Sequence, residues 1–211
     1  MKILLLGPDG RNEKVKSFLL AQGLEVLSCN QRLGLEFCKH NDVDWIISNG
    51  YAPIIKEPII SKYPRRILNL HPAYLPFGRG IYPNFWALLE GSPTGVSIHF
   101  IDSGIDTGDI ICRRRVDPSE GDTLETFHEG LLRATEKLFI DNWDDIKEER
   151  LSPVHQNDIS TSIKYRSRLD SEKFMDLLND RWETKLPTVE QMGADFIMGA
   201  AFWGKYEADL S

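Results

Sequence analysis

Short apolar runs alternate with helical segments over the first seventy residues, and this constrains the fold more than any other feature. Lys2 to Leu6 stops in the turn Gly7-Pro8-Asp9-Gly10, and Glu13 to Gln22 then places Val15, Phe18, Leu19 and Leu20 at roughly helical spacing. Glu25 to Cys29 reads as a second strand, Leu33 to His40 as a weak helix, and Val43 to Ser48 as a third, mostly apolar strand. A short helix over Glu57 to Lys62 leads to a fourth strand, Arg66 to Leu70, which runs into His71-Pro72, where proline ends the ladder. Strand and helix in strict alternation predict an α/β chain, a mostly parallel open sheet flanked by helices on both faces.

Beyond residue 70 the pattern changes. His71 to Pro83 carries three prolines, two glycines and no apolar period, so it is expected to be a long loop, and long loops inside compact domains are usually functional. Asn84 to Glu90 reads as a short helix. Gly95 to Ile101 alternates with period two, Val96, Ile98 and Phe100 on one face and Ser97, His99 and Ile101 on the other. The turn Asp102 to Gly108 separates it from another strand, Asp109 to Val116, whose arginine-rich end must be largely solvated. A helix with Leu124, Phe127, Leu131, Leu132, Thr135 and Leu138 on one face follows, entered through Asp122 and Thr123 as N-caps. The main domain is expected to span residues 1–150. Residues 151–211 form a polar C-terminal extension with scattered aromatics (Tyr165, Phe174, Trp182, Phe196, Phe202, Trp203, Tyr206), read as a small strand pair followed by a helix over Ser171 to Trp182.

With 211 residues, 41% of them hydrophobic, the chain can bury one core plus a small appendage. A net charge of −7 argues against a nucleic acid held by general phosphate attraction, which draws on clustered Lys and Arg. Cys29, Cys38 and Cys112 are an odd number without C-x-x-C spacing, which suggests neither a disulfide framework nor a zinc site and fits a reducing cytoplasm. The apolar run at the N-terminus is too short for a signal peptide, and no apolar stretch approaches the ~20 residues that span a bilayer, so no membrane partner is expected.

Asn69 and His71 are two apart at a strand end, so they project on one side at the edge where open α/β sheets bind ligands. Taken alone, N-x-H there also fits a turn asparagine and a hydrogen-bonded histidine. His99 and Cys112 lack ligand spacing, a strand histidine is usually structural, and no metal is expected. The opening turn is not G-x-G-x-x-G.

Context comes from Ile67 to Ile111, ILNLHPAYLPFGRGIYPNFWALLEGSPTGVSIHFIDSGIDTGDII. Three blocks stand in order: N-x-H-P at Asn69 to Pro72, L-P-x-x-R-G at Leu75 to Gly80, and D-x-G-x-D-T-G at Asp102 to Gly108. This stretch resembles the folate-dependent formyltransferase family, which includes glycinamide ribonucleotide transformylase, methionyl-tRNA formyltransferase and the sugar N-formyltransferases. The likeness extends more loosely from Asp44 to about Leu138. It implies the Rossmann-like formyltransferase fold and direct formyl transfer from 10-formyltetrahydrofolate to an amine through a tetrahedral intermediate, with no metal. Carried over by position, it implies Asn69 and a protonated His71 over the formyl carbonyl, where they stabilise the oxyanion, and Asp106 holding the imidazole charged and helping to remove the amine proton. Asp102 is the alternative carboxylate, or a cap for its loop. The pterin slot is implied between Ser48, Gly50, Tyr51, Ile54 and Ile55 on one side and Ile101, Asp102 and Gly104 on the other.

Family members differ in their amines. The sequence lacks the long C-terminal domain of the tRNA enzyme, its GPDGRN turn departs from the phosphate loop of the purine-pathway enzyme, and Arg79 to Trp86 resembles the corresponding run of sugar N-formyltransferases. The resemblance therefore implies a nucleotide-linked, dTDP-type amino-dideoxy sugar destined for a surface polysaccharide such as O-antigen. Tyr74, Phe77, Arg79, Gly80, Tyr82 and Trp86 are the substrate-binding candidates, though Trp86 also reads as packing for its helix. The extension is expected to support a homodimer or to cover the substrate. Glycinamide ribonucleotide formylation, hydrolysis of the same folate, and a catalytically silent folate or nucleotide binder are the alternatives.

Overall fold

The computed structural model describes residues 1–159 and 165–198. Strand and helix alternate as expected in β1 (Lys2–Leu6), α1 (Asp9–Ala21), β2 (Glu25–Cys29), α2 (Leu35–His40), β3 (Trp45–Ser48), α3 (Glu57–Ile60) and β4 (Ile67–His71). The long loop after β4 holds a two-residue strand, β5 (Arg79–Gly80), and leads to α4 (Pro83–Leu89), β6 (Gly95–Phe100) and β7 (Ile110–Arg115). Six strands form one sheet in the order β2-β1-β3-β4-β6-β7. β1 pairs in parallel with β2 and β3, and β3 with β4, whereas β4–β6 and β6–β7 are antiparallel. Residues 101–109 between β6 and β7 are too few for a parallel crossover, so β7 has to turn back.

Both faces are covered, as four nearly unbroken apolar strands require. Leu68, Leu70, Val96 and Ile98 pack on one face against Val15 and Leu19 of α1 and against Leu131, Leu138, Phe139 and Trp143 of α5 (Leu124–Lys147). Leu4, Leu6, Ile46 and Ile67 pack on the other against Cys38, Ile59 and Tyr63. Thr123 caps α5 by accepting from the N–H of Thr126 at 3.2 Å. Leu124, Phe127, Leu131, Thr135 and Leu138 are buried along the helix, and Leu132 is half-buried at the edge of that stripe.

The tail departs from expectation. Its strand β8 (Tyr165–Arg166) pairs with β5 in the loop, Arg79 opposite Tyr165 and Gly80 opposite Arg166, and among the described residues no second tail strand pairs with it. α6 (Arg168–Met175) starts and ends earlier than read from the sequence, because Ser167 and Asp170 form a capping box. α7 (Leu186–Met198) was not expected at all. It lies so close to α4 that a Cβ on Gly193 would stand 1.9 Å from the Leu89 carbonyl oxygen, so only glycine fits there. Phe174 and Trp182 pack onto the same chain, Phe174 on Trp86 with ring centroids 4.8 Å apart and Trp182 on Tyr82 at 5.0 Å. Phe202, Trp203 and Tyr206 lie outside the described residues. Among the described residues no helix is long and apolar enough to cross a membrane.

Candidate active site

β4 carries Asn69 and His71 to the carboxyl end of the sheet. The β4–β6 register sets Asn69 opposite His99 and His71 opposite Ser97, and directly opposed residues share a face. The turn after β6 holds Asp106 in the left-handed region, φ 53°, with its carboxylate over the strand ends. Asn69 Nδ2 donates to Asp106 Oδ1 at 3.2 Å and lies 3.1 Å from His99 Nε2. The Gly80 N–H donates to Asp106 Oδ2 at 3.0 Å. Gly80 adopts φ 95°, and a Cβ there would stand 2.1 Å from the Arg166 carbonyl oxygen, so no other residue fits between loop and tail.

Carbonyl oxygens only accept, which places two imidazole hydrogens. His71 Nε2 lies 2.9 Å from Gly78 O and so carries one, while its Nδ1 faces Asp106 Oδ1 at 3.9 Å. His99 Nδ1 lies 2.7 Å from Phe100 O and carries another, leaving Nε2 to accept from Asn69. Burial is the largest influence on His71 and lowers its pKa, against the opposing pull of Asp106. The charged imidazole expected from the sequence is thus corrected to a neutral Nε2–H donor. Burial by itself would raise the Asp106 carboxyl, but the nearness of His71 and His99 and the Gly80 N–H outweigh it and hold the group far below the usual carboxylate range.

These directions predict an acid-labile fold. The unfolded chain binds a proton at His71 near pH ~6.5 that the folded chain refuses, so this contribution is complete above that value and is lost as pH falls. Asp106 adds a second loss below about pH 4, where its unfolded carboxyl protonates first. His128, also lowered by burial, acts in the same sense as His71. Urea midpoints at pH 7.5 and 5.5 should therefore differ less for His71→Asn than for the parent chain; equal differences would contradict a buried neutral His71.

A cleft of about 560 Å³ opens over this cluster. Ser48, Gly50, Tyr51, Ile54, Ile55, Ile101, Asp102 and Gly104 line it, with Gly80 and Tyr82. The Tyr51 hydroxyl donates to Gln31 O at 2.7 Å and accepts from the Leu33 N–H at 2.8 Å, which fixes its ring at the wall. Asp102 accepts from the Gly104 N–H at 3.1 Å and from the Thr107 hydroxyl, so of the two carboxylates it is the one that caps its loop.

Four substrate-binding candidates lie outside the lining. Tyr74 is covered by Arg113 and Arg115, 4.3 and 5.6 Å from its ring. Phe77 is half-buried in the loop. Arg79, expected to meet a phosphate, instead donates from Nε and Nη2 to Gln156 Oε1 at 3.0 and 2.8 Å. Trp86 is 1% exposed, with Nε1–H on Ser171 Oγ at 2.9 Å and the Arg166 guanidinium 4.2 Å from its ring. Trp86→Phe should cost about 1–2 kcal/mol in urea unfolding from that lost hydrogen bond. An unchanged midpoint would show that the contact contributes nothing.

Other residues escaped the sequence reading. Arg11, His99, Ile105, Tyr165 and Arg168 also line the cleft, and Gln156, 0% exposed, lies beneath the Asp106 turn. His99 could have been found by sliding the two antiparallel strands until polar residues met. No local signal marked Gln156 or Arg168. Among the described residues no cluster of three or more His, Cys, Asp or Glu side chains is placed to hold a metal.

The family model for formyl transferase matches residues 22–142. The chain belongs to the formyl transferase family. Among relatives of this formyl transferase chain, methionyl-tRNA formyltransferase from Caldanaerobacter subterraneus subsp. tengcongensis is 30% identical over 68% of this chain and 48% of its own. The same enzyme from Acidithiobacillus ferrooxidans is 30% identical over 84% and 56%. The chain thus spans about half the length of these curated relatives. The formyltransferase PseJ from Anoxybacillus kamchatkensis, solved in complex with UDP-4,6-dideoxy-4-formamido-L-AltNAc and tetrahydrofolate, is 39% identical with a TM-score of 0.84. That match covers 92% of this chain and 100% of the other.

Proposed function

We propose that this chain is an N-formyltransferase moving the formyl group of 10-formyltetrahydrofolate to the 4-amine of a UDP-linked amino-dideoxy sugar. The observation that carries the reading is the likeness, over 92% of this chain, to a formyltransferase solved with a UDP-4-formamido sugar and tetrahydrofolate, together with the Asn69, His71 and Asp106 cluster in one cleft. The same likeness favours uridine over the dTDP expected from the sequence.

In this reading Asp106, ionised at neutral pH, receives the proton of the attacking amine. A new C–N bond forms at the formyl carbon, the C–N bond to the folate breaks, and a proton passes to the departing folate nitrogen. The amide of Asn69 and the neutral Nε2–H of His71 are the donors for the oxyanion between those steps. Both are engaged internally, with Asp106 and His99 and with Gly78 O, so each exchanges a partner as the oxyanion develops.

Mass spectrometry tests the reading directly. Incubation with 10-formyltetrahydrofolate should add one formyl group to a UDP-4-amino sugar and none to dTDP-3-amino sugars, glycinamide ribonucleotide or methionyl-tRNA. Formylation of the tRNA alone would instead place the chain with the curated relatives. Formate release without an acceptor product would make it a hydrolase.

A further inference from the structure

The cleft lining divides into two chemically different walls. Around the ends of β3 and β6 it is apolar: Ile54 (68% exposed), Ile55, Ile101 and Ile105 suit a flat heterocycle. The wall opposite is built from the β5 loop and the tail and presents Tyr82, Tyr165 and Arg168. Two substrates that react at Asn69, His71 and Asp106 must enter from different sides. The tail wall reaches the reacting centre directly, because Gly80 pairs with β8 and donates its N–H to Asp106.

Sequence alternation explains why Tyr165 and Arg168 face the cleft. In β8, Arg166 turns inward onto Trp86 and Glu90, so Tyr165 must turn outward, and it is 49% exposed. Ser167 then caps α6, which places Arg168 in the helix's first turn at the rim. Its ion pair with Glu172 is loose at 3.9 Å, because Glu172 already accepts from the Tyr82 hydroxyl at 2.7 Å and from Arg181 at 3.1 Å. The other arginine of the lining, Arg11, donates its Nε–H to Asn49 at 3.0 Å. On a chain of net charge −7, a diphosphate needs a local cation, and Arg168 is the one left most available.

Resting on the function proposed above, we infer that Tyr165 and Arg168 form the nucleotide-diphosphate subsite, the tyrosine ring stacking on the base and the guanidinium pairing with diphosphate oxygens. The walls therefore sort the substrates, folate against the isoleucines and nucleotide against the tail.

UDP itself is the probe. Calorimetric titration of the parent chain, Arg168→Ala, Tyr165→Ala and Tyr165→Phe decides the assignment. Arg168→Ala should weaken UDP about 10- to 100-fold, as for one charge-assisted contact. Tyr165→Ala should weaken it about 10-fold and Tyr165→Phe should keep parent affinity, since stacking needs only the ring. KM for the nucleotide sugar should rise in parallel with kcat and tetrahydrofolate affinity unchanged. Parent-like UDP binding by Arg168→Ala in a chain that still formylates a UDP sugar would overturn the subsite alone. A parent chain that neither binds UDP nor formylates a nucleotide sugar would overturn the function and the subsite together. UDP binding without formylation would reject the function, and the variants would still decide the subsite.

Discussion

Asp106→Asn is expected to lower kcat for formyl transfer by about 10³-fold, the scale of a lost general base. The substitution is nearly isosteric, so the loss is chemical. Asp106 accepts with both oxygens, from Asn69 Nδ2 at Oδ1 and from the Gly80 N–H at Oδ2. An asparagine has one carbonyl oxygen, so its own NH₂ must face one of those donors, and that one hydrogen bond is lost. The variant thus loses the negative charge that takes the amine proton and loosens either Asn69 or the β5 loop. Single-turnover assays with 10-formyltetrahydrofolate and a UDP-4-amino sugar would measure it, with circular dichroism to establish folding and tetrahydrofolate titration to show an intact cleft. A folded variant within tenfold of the parent rate would remove Asp106 from the reaction and leave Asn69 and His71 as donors without a base.

Much of the fold was legible because the physics that builds it is local. Four apolar runs separated by helical spacing leave a covered parallel sheet as the consistent arrangement, and α5 announces itself through Thr123 and a buried stripe. Asn69, His71 and Asp106 could be singled out because two of the three blocks, N-x-H-P at the end of β4 and D-x-G-x-D-T-G in the turn after β6, meet at the same edge of the sheet. What failed was everything decided by partners distant in sequence. His99 read as a structural strand histidine until the β4–β6 register brought it beside Asn69. Arg79 has the right chemistry for a phosphate, but its partner is 77 positions away at Gln156. Trp86 read equally as a stacking surface and as packing for its helix, and the tail decides for packing by laying Ser171, Phe174 and Arg166 over it. The expected charge on His71 came from the family resemblance and its carboxylate neighbour, whereas burial outweighs that neighbour in the folded chain. The tail itself has little periodicity, since its strand is only two residues long and gains its hydrogen bonds from a loop.

Gln156→Leu should reduce kcat about 100-fold although the side chain touches no substrate. Gln156 links two of the three motif blocks of this sequence: Oε1 accepts two hydrogen bonds from Arg79, and Nε2 donates to Asp106 O at 2.9 Å and Gly108 O at 2.7 Å. The planar amide of glutamine offers two acceptor sites and two donors, and all four are used here. Asp106 sits at φ 53°, a conformation that persists only where the surroundings enforce it, and Gln156 supplies that enforcement through the residue's own carbonyl. Leucine would leave two carbonyls and the Arg79 fork unpaired, and stability should fall by about 2–4 kcal/mol as well. Gln156→Glu separates the two effects. It keeps the acceptors for Arg79 and loses both donors, so the Asp106 turn should loosen while Arg79 stays in place. The readout that a merely structural role would not move is the acid limb of the kcat profile. With the turn loosened, the Asp106 carboxyl relaxes upward toward its ordinary value, and the acid limb should move to higher pH in both variants. Lower melting temperatures with parent kcat and parent acid limb, measured well below unfolding, would reduce Gln156 to a stability residue.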